Sequence, residues 1–308
     1  MTVSDEVLAE QFTEHRRHLV GVAYRLTGRL SDAEDAVQEA WLRLSGLDDE
    51  RRADIRDLRA WLTTVVGHVC LDRLRSAAAR RERYVGPWLP EPIVTPFGTP
   101  VSDDPLETVV RSDEVRLAAM VVLDLLTPEQ RVAFVLHDAF DMPFAEIARV
   151  LGCAEATARQ HASRGRRAAT DAAPPPRATL EEQRALVERL LTAIVAGDID
   201  SVVRLLHPDA VLIGDSDGKT STARRPMHGA DKIIRFLSAL VGRYGQHRLV
   251  NGELVLVNGD LGMAVPEVPA EAPYPEIARR IAAFTVHDGR ITAIYDIANP
   301  DKLRHLDF

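Results

Sequence analysis

The chain has 308 residues, a net charge of −8, 46% hydrophobic and 27% charged residues, and two cysteines, Cys70 and Cys153. That is enough for two or three domains, and it excludes a mini-protein, a disulfide-stapled secreted scaffold and a uniformly basic nucleic-acid coat. No apolar run approaches the roughly 20 residues of a membrane span, and the start of the chain lacks the order of charges and apolar residues of a secretory leader, so a reduced cytoplasm is the expected setting.

Residues 1–85 contain no proline and show long helical periodicity, which predicts a first helical domain. Residues 86–107 form a linker, with six prolines between 86 and 105. Helical patterning returns over 108–173 and stops at Pro174-Pro175-Pro176, a run that cannot continue a helix. Residues 174–308 change to helices followed by β-rich runs separated by Asn-Gly and Asp-Gly turn signals, the pattern of an α+β domain. All three lysines (219, 232 and 302) lie in this last part. The helical parts therefore carry positive charge as arginine alone, which suits phosphate and guanine contacts and also follows from a GC-rich coding bias.

In the first domain, Ser31-Asp32-Ala33-Glu34 reads as a capping box that starts a helix at Ser31. Ala33, Ala36, Val37, Ala40, Trp41 and Leu44 fall on one face, leaving Asp32, Asp35, Gln38 and Glu39 outward. Such an acidic face is either a solvated surface that complements the helix dipole or a partner surface. The stretch 58–83 predicts a second long helix ending in Arg73, Arg75, Arg80, Arg81 and Arg83. Five arginines in eleven residues exceed what a helix C-terminus needs and point to nucleic-acid phosphate.

In the second domain, Thr127-Pro128-Glu129-Gln130 combines a capping Thr, a first-turn Pro and a Gln three residues on, which predicts a helix start. Phe144 to Leu151, a turn at Gly152, and Ala154 to Ala169 have helix-turn-helix spacing, with Ala148 small at the crossing and Ile147, Leu151 and Ala158 toward the core. The second helix would present Glu155, Thr157, Arg159, Gln160, Ser163, Arg164 and Arg167 to a major groove. Its four arginines against one acid give a local charge of +3. Gly165, unfavourable in a helix interior, and His161, at a packing position, run against this reading.

The α+β part predicts helices at Leu180–Ala196 and 199–207, a strand at 210–214, a helix at 231–241, a strand at 254–257 and later strands. No metal-ligand spacing, nucleophile elbow or phosphate loop is present, so no metal, cofactor or catalytic residue is expected.

Together, SDAEDAVQEAWLRL, LRAWLTTVVGHVCLDRLR and LTPEQRVAFVLHDAFDMPFAEIARVLGCAEATARQHASRGRR resemble regions 2 and 4 of bacterial extracytoplasmic-function sigma factors over roughly residues 8–170. The resemblance implies a multi-domain fold: two all-α sigma domains, a region 2 bundle and a region 4 helix-turn-helix, plus an α+β SnoaL-like cone with a curved sheet. It implies that Asp32, Asp35, Gln38 and Glu39 meet core RNA polymerase. The loop of about 45–57 would hold a flipped base of the melted −10 element, the helix carrying Arg73, Arg75 and Arg80 would line that strand, and region 4 would read the −35 duplex.

Trp88-Leu89-Pro90-Glu91-Pro92 and Asn299-Pro300-Asp301-Lys302-Leu303 are similar to two motifs of the subgroup with a SnoaL-like extension. The subgroup's DGGGK turn aligns with Asp215-Ser216-Asp217-Gly218-Lys219, where Ser216 and Asp217 replace glycines, a departure expected to alter the turn or a pocket contact. The resemblance implies that both motifs dock on the cone and control the sigma regions in cis. An aromatic and a leucine in a spacer gain by burial, which supports docking over a stiff spacer. An unidentified small ligand in the cone pocket is a further expected partner. An alternative is a DNA-binding protein carrying an active SnoaL-like enzyme, with acid–base chemistry on Asp215, Asp217, His228 or His247. A third is a helix-turn-helix repressor that acts without polymerase.

Overall fold

The computed structural model describes residues 5–81, 84–98 and 115–308, without the side chains of residues 5 and 78–81, and it forms two compact units. The helical unit draws on Met1–Glu82, Val101–Val115 and Ala119–Pro174, and the α+β unit on Arg83–Pro100, Arg116–Ala118 and Pro175–Phe308. The Arg80 side chain, Arg83 and linker residues 99–107 lie outside what is described.

In the helical unit, α1 (Asp5–Thr27), α2 (Leu30–Ser45), the short α3 (Asp49–Ala53) and α4 (Leu58–Arg81) form a bundle. Its core includes Leu19, Val22, Leu26, Ala36, Ala40, Leu62 and Val66. Helix α2 starts one residue before the expected Ser31, with Arg29 as its cap residue and no side-chain cap. Only Gly28 and Arg29 separate α1 from α2, and Leu30 is buried, so the helix must already be running when it reaches the core. Ser31 is left exposed inside the first turn.

Helices α5 (Leu117–Leu123) and α6 (Pro128–Phe134) follow, α6 with the expected Thr127 capping box and with Pro128 in its first turn. A wider π-helical turn spans Val135–Ala139. Then α7 (Phe144–Leu151) and α8 (Glu155–Asp171) are joined at Gly152, whose φ of 65° is the left-handed conformation a helix stop requires. Gly165 is buried, and a Cβ there would lie 2.9 Å from the Gln130 carbonyl oxygen and 2.9 Å from the Phe134 Cβ. The glycine that counted against a helix is what lets α8 close on α6.

In the α+β unit, helices α9 (Leu180–Ala196), α10 (Ile199–Leu205), α11 (Ala230–Tyr244) and α12 (Gln246–Leu249) pack with a sheet of β1 (Val94–Pro96), β2 (Leu206–Asp215), β3 (Met227–His228), β4 (Glu253–Val257), β5 (Asp260–Val265), β6 (Arg280–His287) and β7 (Arg290–Ile297). The strand order is β1-β4-β5-β6-β7-β2-β3, antiparallel except for the β2–β7 pair. The core includes Val187, Leu190, Leu205, Leu212, Ile233, Phe284 and Ile294. Strand β2 begins at Leu206, earlier than the expected 210, because Leu206 is buried and already paired with Ile291. Strand β1 comes from the proline-rich linker and sits at the sheet edge, where Pro96 needs no N–H for the ladder.

Candidate functional site

The acidic face of α2 and the middle of α4 enclose a shallow cleft lined by Asp32, Asp35, Gln38, Glu39, Asp72 and Arg73. Arg73 reaches Asp32 at 2.9 Å and Asp35 at 3.3 Å, so this arginine, expected on nucleic acid, neutralises the acidic face here. Arg75 pairs with Glu129 of α6 at 3.0 Å. The Arg73–Asp32 pair is part-buried, whereas Arg73–Asp35 and Arg75–Glu129 are solvent-accessible and worth little in stability.

Helices of the two sigma-like parts pack within the same unit. Arg131 of α6 is 1% exposed and donates from Nε and Nη2 to the Arg25 carbonyl of α1 at 3.2 and 3.0 Å, and from Nη1 to Asp124 at 3.4 Å. Arg25 lies in the last turn of α1, where carbonyls run out of helical partners. His68 of α4 has its ring nitrogens 3.1 Å from the Thr64 and Arg149 carbonyl oxygens, and Gly67 faces Leu136 and Val150. His18 accepts from Arg59 at Nδ1 and meets the Thr63 hydroxyl at Nε2, both at 3.0 Å, with its edge on Phe140. Burial, and then the Arg59 charge, lower its pKa to about 4.

On α8, Gln160, Ser163, Arg164 and Arg167 are exposed along one side and Thr157 is half-buried. Glu155 pairs with Arg159, which also lies over the Phe144 ring at 4.6 Å. His161 is half-buried, as its packing position requires.

The motif residues of the α+β unit converge on Asp215, which is 0% exposed at the end of β2. Its carboxylate accepts from the Leu89 amide at 2.7 Å, from Lys302 Nζ at 2.5 Å and from the Tyr84 hydroxyl. Lys302 also donates to the Leu89 carbonyl and lies 4.2 Å from the centre of the Trp88 ring. Asn299 donates to the Tyr84 hydroxyl at 2.7 Å and caps the short 3-10 turn Pro300–Lys302 by accepting from the Asp301 amide. Burial, and next the Asp215 charge, push the Tyr84 phenol well above its usual range, so it stays a donor.

Around this centre, Leu89, Pro90, Glu91, Pro92 and Leu303 are buried, and Glu91 meets His305 at 3.1 Å. Ile93 and Asn258 exchange hydrogen bonds at 2.8 and 3.1 Å, which leads the segment into β1. Asp217 takes the left-handed conformation (φ 50°) that a glycine would have supplied, accepts from the Val85 amide and pairs with Lys219 at 3.3 Å. Gly218 lies against Val85, and Lys219 also pairs with Asp301, which raises its pKa.

A second ionic knot has no counterpart among the expected residues. Asp260, 4% exposed at the start of β5, takes Arg116 at 2.9 Å, Arg177 at 2.8 Å and Gln183 at 3.1 Å, while Arg116 donates to the Pro175 carbonyl. The Asn-Gly-Asp turn at 258–260 and Arg177 directly after the proline run were its only sequence signals. His228 and His247 are exposed on β3 and α12. Among the described residues, no group of His, Cys, Asp and Glu is placed to hold a metal, and no helix is long and apolar enough to cross a membrane.

Family models match three stretches: Sigma-70 region 2 over residues 11–80, Sigma-70 region 4 over 116–168, and a SnoaL-like domain over 187–294. The ECF RNA polymerase sigma factor SigJ of Mycobacterium tuberculosis is 53% identical over 295 residues, covering 95% of this chain and 92% of that protein. A "Probable ECF RNA polymerase sigma factor SigI" of the same species is 32% identical over 295 residues, covering 94% and 92%. The crystal structure of SigJ matches with a TM-score of 0.80 at 49% identity, covering 96% of this chain and 98% of that one.

Proposed function

The chain belongs to the extracytoplasmic-function RNA polymerase sigma factors that carry a SnoaL-like domain, and from that membership we propose that it binds core polymerase in the cytoplasm, directs initiation at promoters with −10 and −35 elements, and is controlled in cis by its α+β unit. Its working parts are residues 1–85, 86–107, 108–173 and 174–308. Asp32, Asp35, Gln38 and Glu39 offer the polymerase an acidic face, and release of Arg73 from Asp32 and Asp35 frees a cation for the melted strand beside Arg75 and Arg80. Thr157, Gln160, Ser163, Arg164 and Arg167, with Glu155 and Arg159, read and grip the −35 duplex from α8.

The observation that carries the control reading is the Asp215 centre. A carboxylate buried in the cone is satisfied by the Leu89 amide of the inter-region segment and by Lys302 of the Asn299 motif, so loss of the Asn299 motif would leave a buried charge unpaired, and loss of the segment would take two Leu89 backbone hydrogen bonds from the buried pair. The segment that joins the two DNA-reading parts is thus held at a fixed point, and its release changes how far those parts can separate. This role is regulatory and not catalytic: Asp215 is fully buried and already takes three donors, and His228 and His247 stand exposed on separate elements.

The test is promoter-directed transcription with core polymerase, comparing the full chain, a chain without residues 299–308, and one ending at Ala173. Core-dependent initiation that changes in either direction on truncation supports the reading. Equal initiation by all three removes control in cis, and failure of all three on a selected promoter library removes the promoter-directing role.

A further inference from the structure

Between the sheet and helices α9 and α11, the α+β unit encloses a cavity of about 120 Å³. Its walls are aliphatic and aromatic, with Leu190, Leu212, Phe236, Leu240 and Phe284 among them, and Arg280 and Asp296 are the charged exceptions. These two side chains are 3.1 Å apart and 15% exposed each. The Arg280 guanidinium is held on three sides by protein, at Asp296 Oδ2 and at the Ser221 and Ala278 carbonyls. Asp296 is less fully satisfied: Oδ2 accepts from Arg280 and Thr222, while Oδ1 accepts nothing among the described residues.

We propose that this cavity binds a small neutral ring or branched molecule with one hydroxyl, which donates to Asp296 Oδ1, and that occupancy steadies the Asp215 centre. Size follows from comparison with apolar cavities of roughly 150 Å³, which admit one benzene ring. Neutrality follows from the wall, because Arg280 and Asp296 already cancel, and a charged ligand would lose its water without gaining a free counter-charge. The hydroxyl follows from a carboxylate oxygen left without a donor beside an apolar space.

The coupling follows from shared strands. Asp296 precedes Asn299 by three residues, and Gly214 and Asp215 of β2 pair in register with Asp296 and Ile297 of β7. Thr222, which donates to Asp296, lies two residues from Thr220, whose hydroxyl donates to the Ala298 carbonyl at 2.7 Å. The coupling rests on the control reading given above, whereas the binding does not.

The probes are phenol, toluene as its counterpart without a donor, and benzoate as its anion, titrated into the full chain by ligand-observed NMR. Phenol is expected to bind saturably, at least about fivefold tighter than toluene, with benzoate not bound. Ala282→Leu, which fills the cavity from the strand position opposite Asp296, should abolish phenol binding in a protein that melts normally. At phenol ten times its Kd, hydrogen exchange at the Leu89 amide should slow by up to about tenfold in the parent and not in the variant. Absence of saturable phenol binding, equal binding of benzoate, or binding that survives Ala282→Leu overturns the site. Phenol binding with unchanged Leu89 exchange overturns the coupling and leaves the control reading to its own transcription test.

Discussion

The helical unit and the α+β unit each join pieces of chain far apart in sequence, with different chemistry. In the helical unit, Arg131 serves a backbone carbonyl that α1 leaves unpartnered, and around it lie apolar contacts and exposed ion pairs such as Arg75–Glu129. In the α+β unit, Asp215 and Lys302 form an ion pair 0% and 2% exposed on its two sides, with Tyr84 and Leu89 bonded to it and Asn299 bonded to Tyr84. Two charges already out of water hold only while both stay, whereas a carbonyl at a helix end recovers most of its loss from solvent once exposed. Opening the first junction exposes a carbonyl that water can serve, whereas removing one charge of the second strands the other.

The sharpest way to break this comparison is to remove half of the buried ion pair. Asp215→Ala strands Lys302 and should destabilise the α+β unit by about 3–5 kcal/mol in urea denaturation. A loss below about 1 kcal/mol would mean that the ion pair is not what holds the segment. Arg131→Ala should be milder, about 1.5–3 kcal/mol on the helical unit, with proteolysis in residues 115–130 accelerated. A larger loss than for Asp215→Ala reverses the ranking of the two junctions.

Gly165→Ala tests the tight crossing of α8 on α6. The added methyl meets backbone at 2.9 Å and should cost about 1–3 kcal/mol while weakening duplex binding, as read by calorimetry and gel shift. The smallest expected effect is that of pH on the helical unit. His18 is neutral when folded, with a pKa near 4 against 6.5 when free, so the unfolded chain binds more protons between these values. Stability should therefore be level above pH 6.5 and decline as pH falls toward 4. His18→Gln should flatten that part of the profile in denaturation midpoints.

Much of the fold was legible because helical periodicity and turn chemistry are local. Thr127, Gly152 and the α8 face could be placed from a few neighbours each. Ser31 was misplaced because a cap signal competes with the position of the next buried side chain, and Leu30 decided the outcome. Gly165 was read as a weakness because its partner, the Gln130 carbonyl, lies 35 residues away in sequence.

At the candidate control site, the motifs named Asp215, Lys302 and Leu89, but not that one carboxylate joins all three. Tyr84 and Asn258 were missed because their hydrogen-bond partners lie more than 130 residues away in sequence. Asp260 was missed because its arginine partners, Arg116 and Arg177, are 144 and 83 residues distant. Charge pairs of this span leave no periodic trace in sequence.

The most direct test of the central claim uses Trp88→Ala, which removes the ring over Lys302 and leaves every hydrogen bond to Asp215 in place. Promoter-directed transcription with core polymerase should change at least about threefold in a protein whose denaturation midpoint shifts little, which marks a weakened hold on the segment in an intact fold. Unchanged transcription, with the Leu89 amide shown by hydrogen exchange to be more open than in the parent, would contradict control of the sigma regions by this segment.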